Sequence, residues 1–416
     1  MSEKGWEEVA LGNVCDFQNG FAFKSKTFQP SGEPVLRISN IQDGTIETRK
    51  IVFIDRSDYD KDLTQYEVEP GALLIAMSGG TTGKIGVNDT QTTFLLNQRV
   101  GKFIPRLNLD KQFLAYFLET KVEENLRISA GAAQPNLSTE QIKSFSIPFP
   151  EVAEQKRIVS ILDEAFSAIA KAKENAEKNL LSARELFESY LNRVFTQQGP
   201  GWERFTLLDL LDKEWITSHL DGNHGGDYPR KAEFVSEGVP YISANCLRNG
   251  EIDMSRAKYL TPERAGKLRK GIAQDRDVLF AHNATVGPVT ILRTDEPKII
   301  LGTSLTYYRC DEQHILPEYL SHYMRARPFT AQYKAVMRQS TRNQVPITKQ
   351  RTFEHIIPPI EEQRRIVPTL DSLYEAGEQY IAIYTQKLAN LDELKQSLLQ
   401  KAFTGQLTDD QLISVP

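Results

Sequence analysis

Glu154-Gln155-Lys156-Arg157-Ile158-Val159, followed by Ser160-Ile161-Leu162-Asp163, decides how this chain is built. Nearly the same words return at Glu362-Gln363-Arg364-Arg365-Ile366-Val367 and Leu370-Asp371. Gln155 and Gln363 stand 208 residues apart, half of the 416-residue length, so the chain reads as one unit written twice. Both copies open a helix. After the first, Ile158, Leu162, Ala165, Ile169, Ala172, Ala176, Asn179, Ala183, Leu186 and Tyr190 alternate steps of four and three, the seam of a coiled coil. The same register in the second copy gives Ile366, Leu370, Leu373, Gly377, Tyr380, Tyr384, Lys387, Leu391, Leu394 and Leu398. Ile158, Leu162, Ile169, Leu186, Tyr190, Ile366, Leu370, Leu373, Leu391 and Leu398 are therefore the expected subunit-interface residues. About 40 residues at 1.5 Å each make a rod of roughly 60 Å, longer than one globule needs.

Working outward, residues from Gly5-Trp6-Glu7 and from Gly201-Trp202-Glu203 begin the two copies alike. Gln197-Gln198-Gly199-Pro200-Gly201 ends the first rod, because glycine and proline continue helices poorly. The expected organisation is a globule over 1–150, a helix over 151–198, a second globule over 199–357, a helix over 358–405 and a tail over 406–416. Within each globule, short β-rich runs precede Asp43-Gly44 and Asn249-Gly250, dipeptides suited to tight turns. The fold class is α+β: two pseudo-repeated globules joined by two long helices.

With 40% hydrophobic and 25% charged residues, the chain can bury more than one core. It shows no apolar run of membrane-spanning length and no signal peptide, which leads us to expect a cytoplasmic protein. Cys15, Cys246 and Cys310 lack CxxC spacing and read as small core residues. A net charge of −5 argues against coating DNA through bulk positive charge but leaves room for a local basic face.

Two strand signals, Ala72–Ala76 and Asp277–Ala281, each run into a polar, glycine-containing loop. In the first, Ser78-Gly79-Gly80-Thr81-Thr82-Gly83-Lys84 fails as a phosphate-binding P-loop, since Ser78 replaces the first glycine and Ile85 follows the lysine. Ser78, Thr81, Thr82 and Lys84 are instead expected to face a polar partner, as are His282, Asn283 and Thr285 in the second. Gln18, Asn19, Lys24 and Lys26 mix amides and cations. Asn223, His224, Tyr228 and Arg230 sit in a turn-forming run that reads either as a surface loop or as a nucleic-acid-facing one. Amides suit adenine edges and cations suit phosphates or guanine.

The segment from Tyr319 to Phe353 contains Arg325, Arg327, Lys334, Arg338, Arg342, Lys349 and Arg351 and no acid. It favours a polyanion partner, with Arg338, Arg342, Asn343 and Gln344 as candidate DNA contacts. Residues 201–350 carry 21 basic against 18 acidic side chains, whereas residues 1–150 carry 16 against 19. No catalytic or metal set is expected. Pro358-Pro359 lacks the amide or acid and the aromatic of a methyltransferase tetrad, no GxGxxG loop follows a strand, and the six histidines show no paired ligand spacing.

The combination of a doubled Gly-Trp opening, an α+β globule with a strand-to-glycine loop, a proline lead and Glu-Gln-x-Arg-Ile-Val before a heptad helix resembles the specificity subunit of type I restriction-modification systems. The likeness covers essentially the whole chain. It implies two target-recognition domains, each reading one half of a bipartite double-stranded DNA sequence, and two spacer helices packed antiparallel. It further implies a non-enzymatic chain that binds no cofactor. Methyltransferase subunits would use S-adenosylmethionine, and restriction subunits ATP and magnesium. The alternative is a protein–protein adaptor built on a coiled coil.

Overall fold

The structure is a computed structural model that describes residues 6–42, 44–130, 136–223, 228–248, 250–339 and 343–407. The chain divides into two compact units, one formed by 1–177 with 386–416, the other by 178–385. Each unit is a globule plus stretches of both long helices, Val152–Thr196 and Ile360–Thr404.

The two globules repeat one plan. In the first, Glu8–Ala10 pairs antiparallel with Ser146–Pro148, so the globule's two ends lie side by side. An antiparallel sheet orders Cys15–Asn19, Val100–Pro105, Leu73–Ala76 and Ile85–Val87. A mixed sheet places Glu33–Leu36 parallel to Phe94–Leu96. In the second, Glu203–Thr206 pairs with Glu354–Ile357, and the corresponding sheet orders Ile216–Asp221, Leu305–Cys310, Val278–Ala281 and Val289–Ile291. Val239–Ile242 and Ile299–Leu301 form its parallel pair. Leu73–Ala76 and Val278–Ala281 are buried throughout, as continuous apolar runs require. Gly44 and Gly250 take φ of +83° and +78°, the left-handed conformation expected of the two turns.

The repeated glutamine is the joint between globule and helix, and it is fully buried in both copies. Gln155 Oε1 accepts from Asp110 N–H at 2.8 Å, while its Nε2 donates to Asn108 O at 3.1 Å and Pro150 O at 2.8 Å. Gln363 Oε1 accepts from Leu316 N–H at 2.9 Å, and its Nε2 donates to His314 O at 2.8 Å and Pro358 O at 3.0 Å. One side-chain amide thus closes three backbone groups that would otherwise be buried without partners. The neighbouring acids pair one turn on, Glu154 with Arg157 and Glu362 with Arg365.

Within each unit the helix stretches run antiparallel. In the first, Arg157 reaches Leu407 O and Lys173 pairs with Asp392. In the second, Phe187 packs on Tyr374, while Leu191 and Phe195 share a core with Ile366, Val367 and Leu370. The seam also packs onto its globule: Phe403 meets Phe113 and Phe117 with ring centroids 5.0 and 5.5 Å apart, and Phe195 meets Tyr319 at 5.5 Å. Ile158, Leu162, Ile169, Ile366, Leu370, Leu391 and Leu398 are buried, and Tyr190 and Leu373 half-buried.

Leu186 departs from expectation. It is 68% exposed, and Phe187 packs inward instead. A straight helix drifts about 20° per heptad against a strict seven-residue repeat. Four heptads separate Ile158 from Leu186, so the seam moves by nearly one residue. Similarly, Tyr380 is exposed and Ile381 half-buried. A helical stretch of the second globule is split at Ala326, an extended N-cap with Pro328 in the first turn that follows it, into Pro317–Arg325 and Arg327–Arg338.

All six histidines of the chain belong to the second unit. Burial pushes His219 down to about 3 and His355 down to about 4, so both are neutral in the folded state. An unfolded imidazole takes up its proton near pH 6.5. The stability these residues contribute is therefore present above that pH and is lost as pH falls toward 4. At pH 5 the loss is roughly 2 kcal/mol per imidazole. Hydrogen exchange at pH 7 and pH 5 should show protection falling in the second unit with little histidine-linked change in the first; equal loss in both would contradict this.

Candidate nucleic-acid interface

Three strand ends define the site in each unit. In the first, Asn19, Ala76 and Val100 lie at one end of the antiparallel sheet. Beyond them Ser78 bridges Asn136, Leu137 N–H donates to Met77 O at 2.8 Å, and Met77 N–H donates to Arg99 O at 2.9 Å. The second unit repeats the arrangement. Asn283 bridges Gln344, Val345 N–H donates to His282 O at 2.8 Å, and His282 N–H donates to Ser304 O at 3.0 Å. The loop after the central strand is thus laced to a second loop arriving from the helical side.

The structure brings several expected residues together. Gln18 and Asn19 end the first strand, and Asn19 exchanges hydrogen bonds with Thr139. Lys24 and Lys26 are exposed on the adjoining loop, and Lys84 is half-buried. Asn283, Thr285, Asn343 and Gln344 form one cluster, with Ala284 N–H donating to Asn343 O at 3.0 Å. Ala284 holds a φ of +63°, unusual for a residue with a Cβ, which turns this loop sharply.

Other residues are used internally. Ser78, Thr82, Asn223 and His282 are buried. Thr81 Oγ1 donates to Ile38 O and Thr82 Oγ1 to Gly79 O, so these hydroxyls brace the loop rather than project from it. Asn223 clamps the Lys270 backbone through both ends of its amide. Tyr228 and Arg230 are exposed, and the Arg230 backbone N–H is capped by Glu233. Arg338 is exposed at the end of its helix, whereas His224 and Arg342 lie outside the described residues.

The basic run is not a single face. Arg325 is turned into the protein, its guanidinium 4.7 Å from the Tyr374 ring centre and donating to Val289 O. Sequence reasoning also passed over Gln98 and Arg99, exposed at the turn that supports Met77, and Ser243, Asn245 and Ser304 in the second unit. The amide-amide-cation word Asn97-Gln98-Arg99 was the available signal. Among the described residues no cluster of His, Cys, Asp and Glu is arranged to hold a metal ion, and no helix is long and apolar enough to cross a membrane.

Two copies of one globule, each presenting a loop cluster of amides, hydroxyls and cations at the same end of the same sheet, define a pseudo-repeated recognition protein. The family model described as the type I restriction modification DNA specificity domain matches residues 3–179 and 200–389. The chain therefore belongs to the type I restriction-modification specificity subunits, the non-catalytic recognition components of such systems. It is 22% identical over 422 residues to the EcoBI specificity subunit of Escherichia coli, covering 97% of this chain and 86% of that one. It is 24% identical over 434 residues to the EcoKI specificity subunit of E. coli strain K12, covering 97% and 90%. Its fold matches a chain solved in a study of complex assembly and conformational transition of the type I R-M system, with a TM-score of 0.76, 20% identity and coverage of 98% and 100%. It also matches the HsdS subunit of Thermoanaerobacter tengcongensis, with a TM-score of 0.57, 18% identity and 98% coverage of both chains.

Proposed function

We propose that this subunit reads a bipartite double-stranded DNA target, one part through each loop cluster, and scaffolds methyltransferase and restriction subunits in the cytoplasm. The observation that carries the reading is the repetition of the loop cluster with unlike residues: exposed Asn136 beside the buried Ser78 in one unit, Asn283 against Gln344 in the other. A shared frame with divergent polar edges is what two separate base readouts require. Leu181, Leu186, Tyr380 and Ile383 are large apolar side chains left exposed on the helices of the second unit, which supports partner docking there. S-adenosylmethionine, ATP and magnesium then belong to those partners.

A gel shift with the chain and its methyltransferase partner separates this reading from an adaptor. Sequence-dependent retardation is expected, with the partner's supershift lost in Leu186→Lys and Tyr380→Lys. Retardation indifferent to sequence would favour the adaptor. Arg338 should contribute affinity and no sequence choice: Arg338→Ala is expected to weaken every duplex alike and lower the salt slope by about 0.9. An unchanged slope in a salt titration would remove Arg338 from the interface.

A further inference from the structure

Gln350 is fully buried beneath the loop cluster of the second unit and has no counterpart motif in the sequence. Its Nε2 donates to Val345 O at 3.1 Å. Its Oε1 lies 3.1 Å from His219 Nε2, 3.0 Å from Thr306 Oγ1 and 3.1 Å from Tyr308 OH. These partners sit on the strands Ile216–Asp221 and Leu305–Cys310. Val345 N–H is bound in turn to His282 O, at the end of Val278–Ala281. One residue, Val345, is therefore tied to three strands of the sheet, and the next residue upstream, Gln344, is the one that bridges Asn283.

We propose that Gln350 is a positioning residue for sequence choice, fixing where Asn283, Asn343 and Gln344 stand relative to a base edge. This rests on the reading that the loop cluster faces DNA. The first unit shows that the frame does not need such a network to fold. Its corresponding residues are Phe17, Gly101, Phe103 and Ile142, with Phe17 packed so closely on Gly101 that a Cβ there would lie 2.0 Å from the ring. Hydrocarbon packing there is non-directional, whereas four directed bonds set one carbonyl's place. The second unit places a polar network at the position a plain core would fill.

The test uses the full complex in cells, with methylome sequencing of strains carrying Gln350→Met or Gln350→Glu. The glutamate keeps an oxygen before the three donors while setting a carboxyl oxygen against Val345 O in place of the amide donor, which disturbs that carbonyl with side-chain volume unchanged, so it stays informative where the methionine fails to fold. Both are expected to relax preference about tenfold at the bases assigned to the second unit, leaving the others unchanged. A motif preserved intact with lower methylation, or both parts relaxed equally, would overturn the proposal and leave Gln350 a stability residue. If exchanging residues 199–357 for those of another family member leaves the motif unaltered, the DNA reading itself fails, whatever Gln350 shows.

Discussion

Replacing Gln363 by leucine is expected to cost the second unit about 3–5 kcal/mol, and Gln155→Leu to do the same to the first. Leucine fills a similar volume, so the cost is not a cavity. It is the loss of partners for three buried backbone groups: Leu316 N–H, His314 O and Pro358 O in one copy, and Asp110 N–H, Asn108 O and Pro150 O in the other. Each orphaned group costs about 1–3 kcal/mol, and local relaxation recovers part of it. Urea unfolding of each variant measures the loss. A drop under about 1 kcal/mol would show that the repeated Glu-Gln word is not held by this joint.

That joint also marks how far the sequence could be read. The recurrence of Glu154-Gln155 at Glu362-Gln363 disclosed the duplication, both helices and their starts. Its cause stayed hidden because Asp110 and Leu316 are too distant in sequence for spacing to connect them. The heptad seam placed Ile158 to Ile169 correctly and then missed at Leu186, since a strict seven-residue step ignores the true pitch of a straight helix. Composition singled out the basic run yet could not say that Arg325 lies under Tyr374 while Arg338 is exposed. The amide of Asn223 looked free to meet a base and is spent on Lys270. Gln350 left no trace, because a network drawn from His219, Thr306 and Tyr308 has no local pattern.

Exchange of residues 199–357 for those of another family member is expected to change one part of the recognised sequence completely and leave the other untouched. Two features of the fold make the exchange clean. The segment enters on Glu203–Thr206 and leaves next to it on Glu354–Ile357, so both junctions fall at one place. Gln363 itself meets the exchanged segment through the backbone of His314 and Leu316, so a foreign domain can satisfy this glutamine whatever side chains it carries there. Backbone contacts at this glutamine let the loops of Asn283 and Asn343 diverge without disturbing the joint. Methylome sequencing of a strain carrying the exchanged subunit tests this most directly. One altered and one retained half of the methylated motif is the predicted result, and alteration of both halves would contradict it.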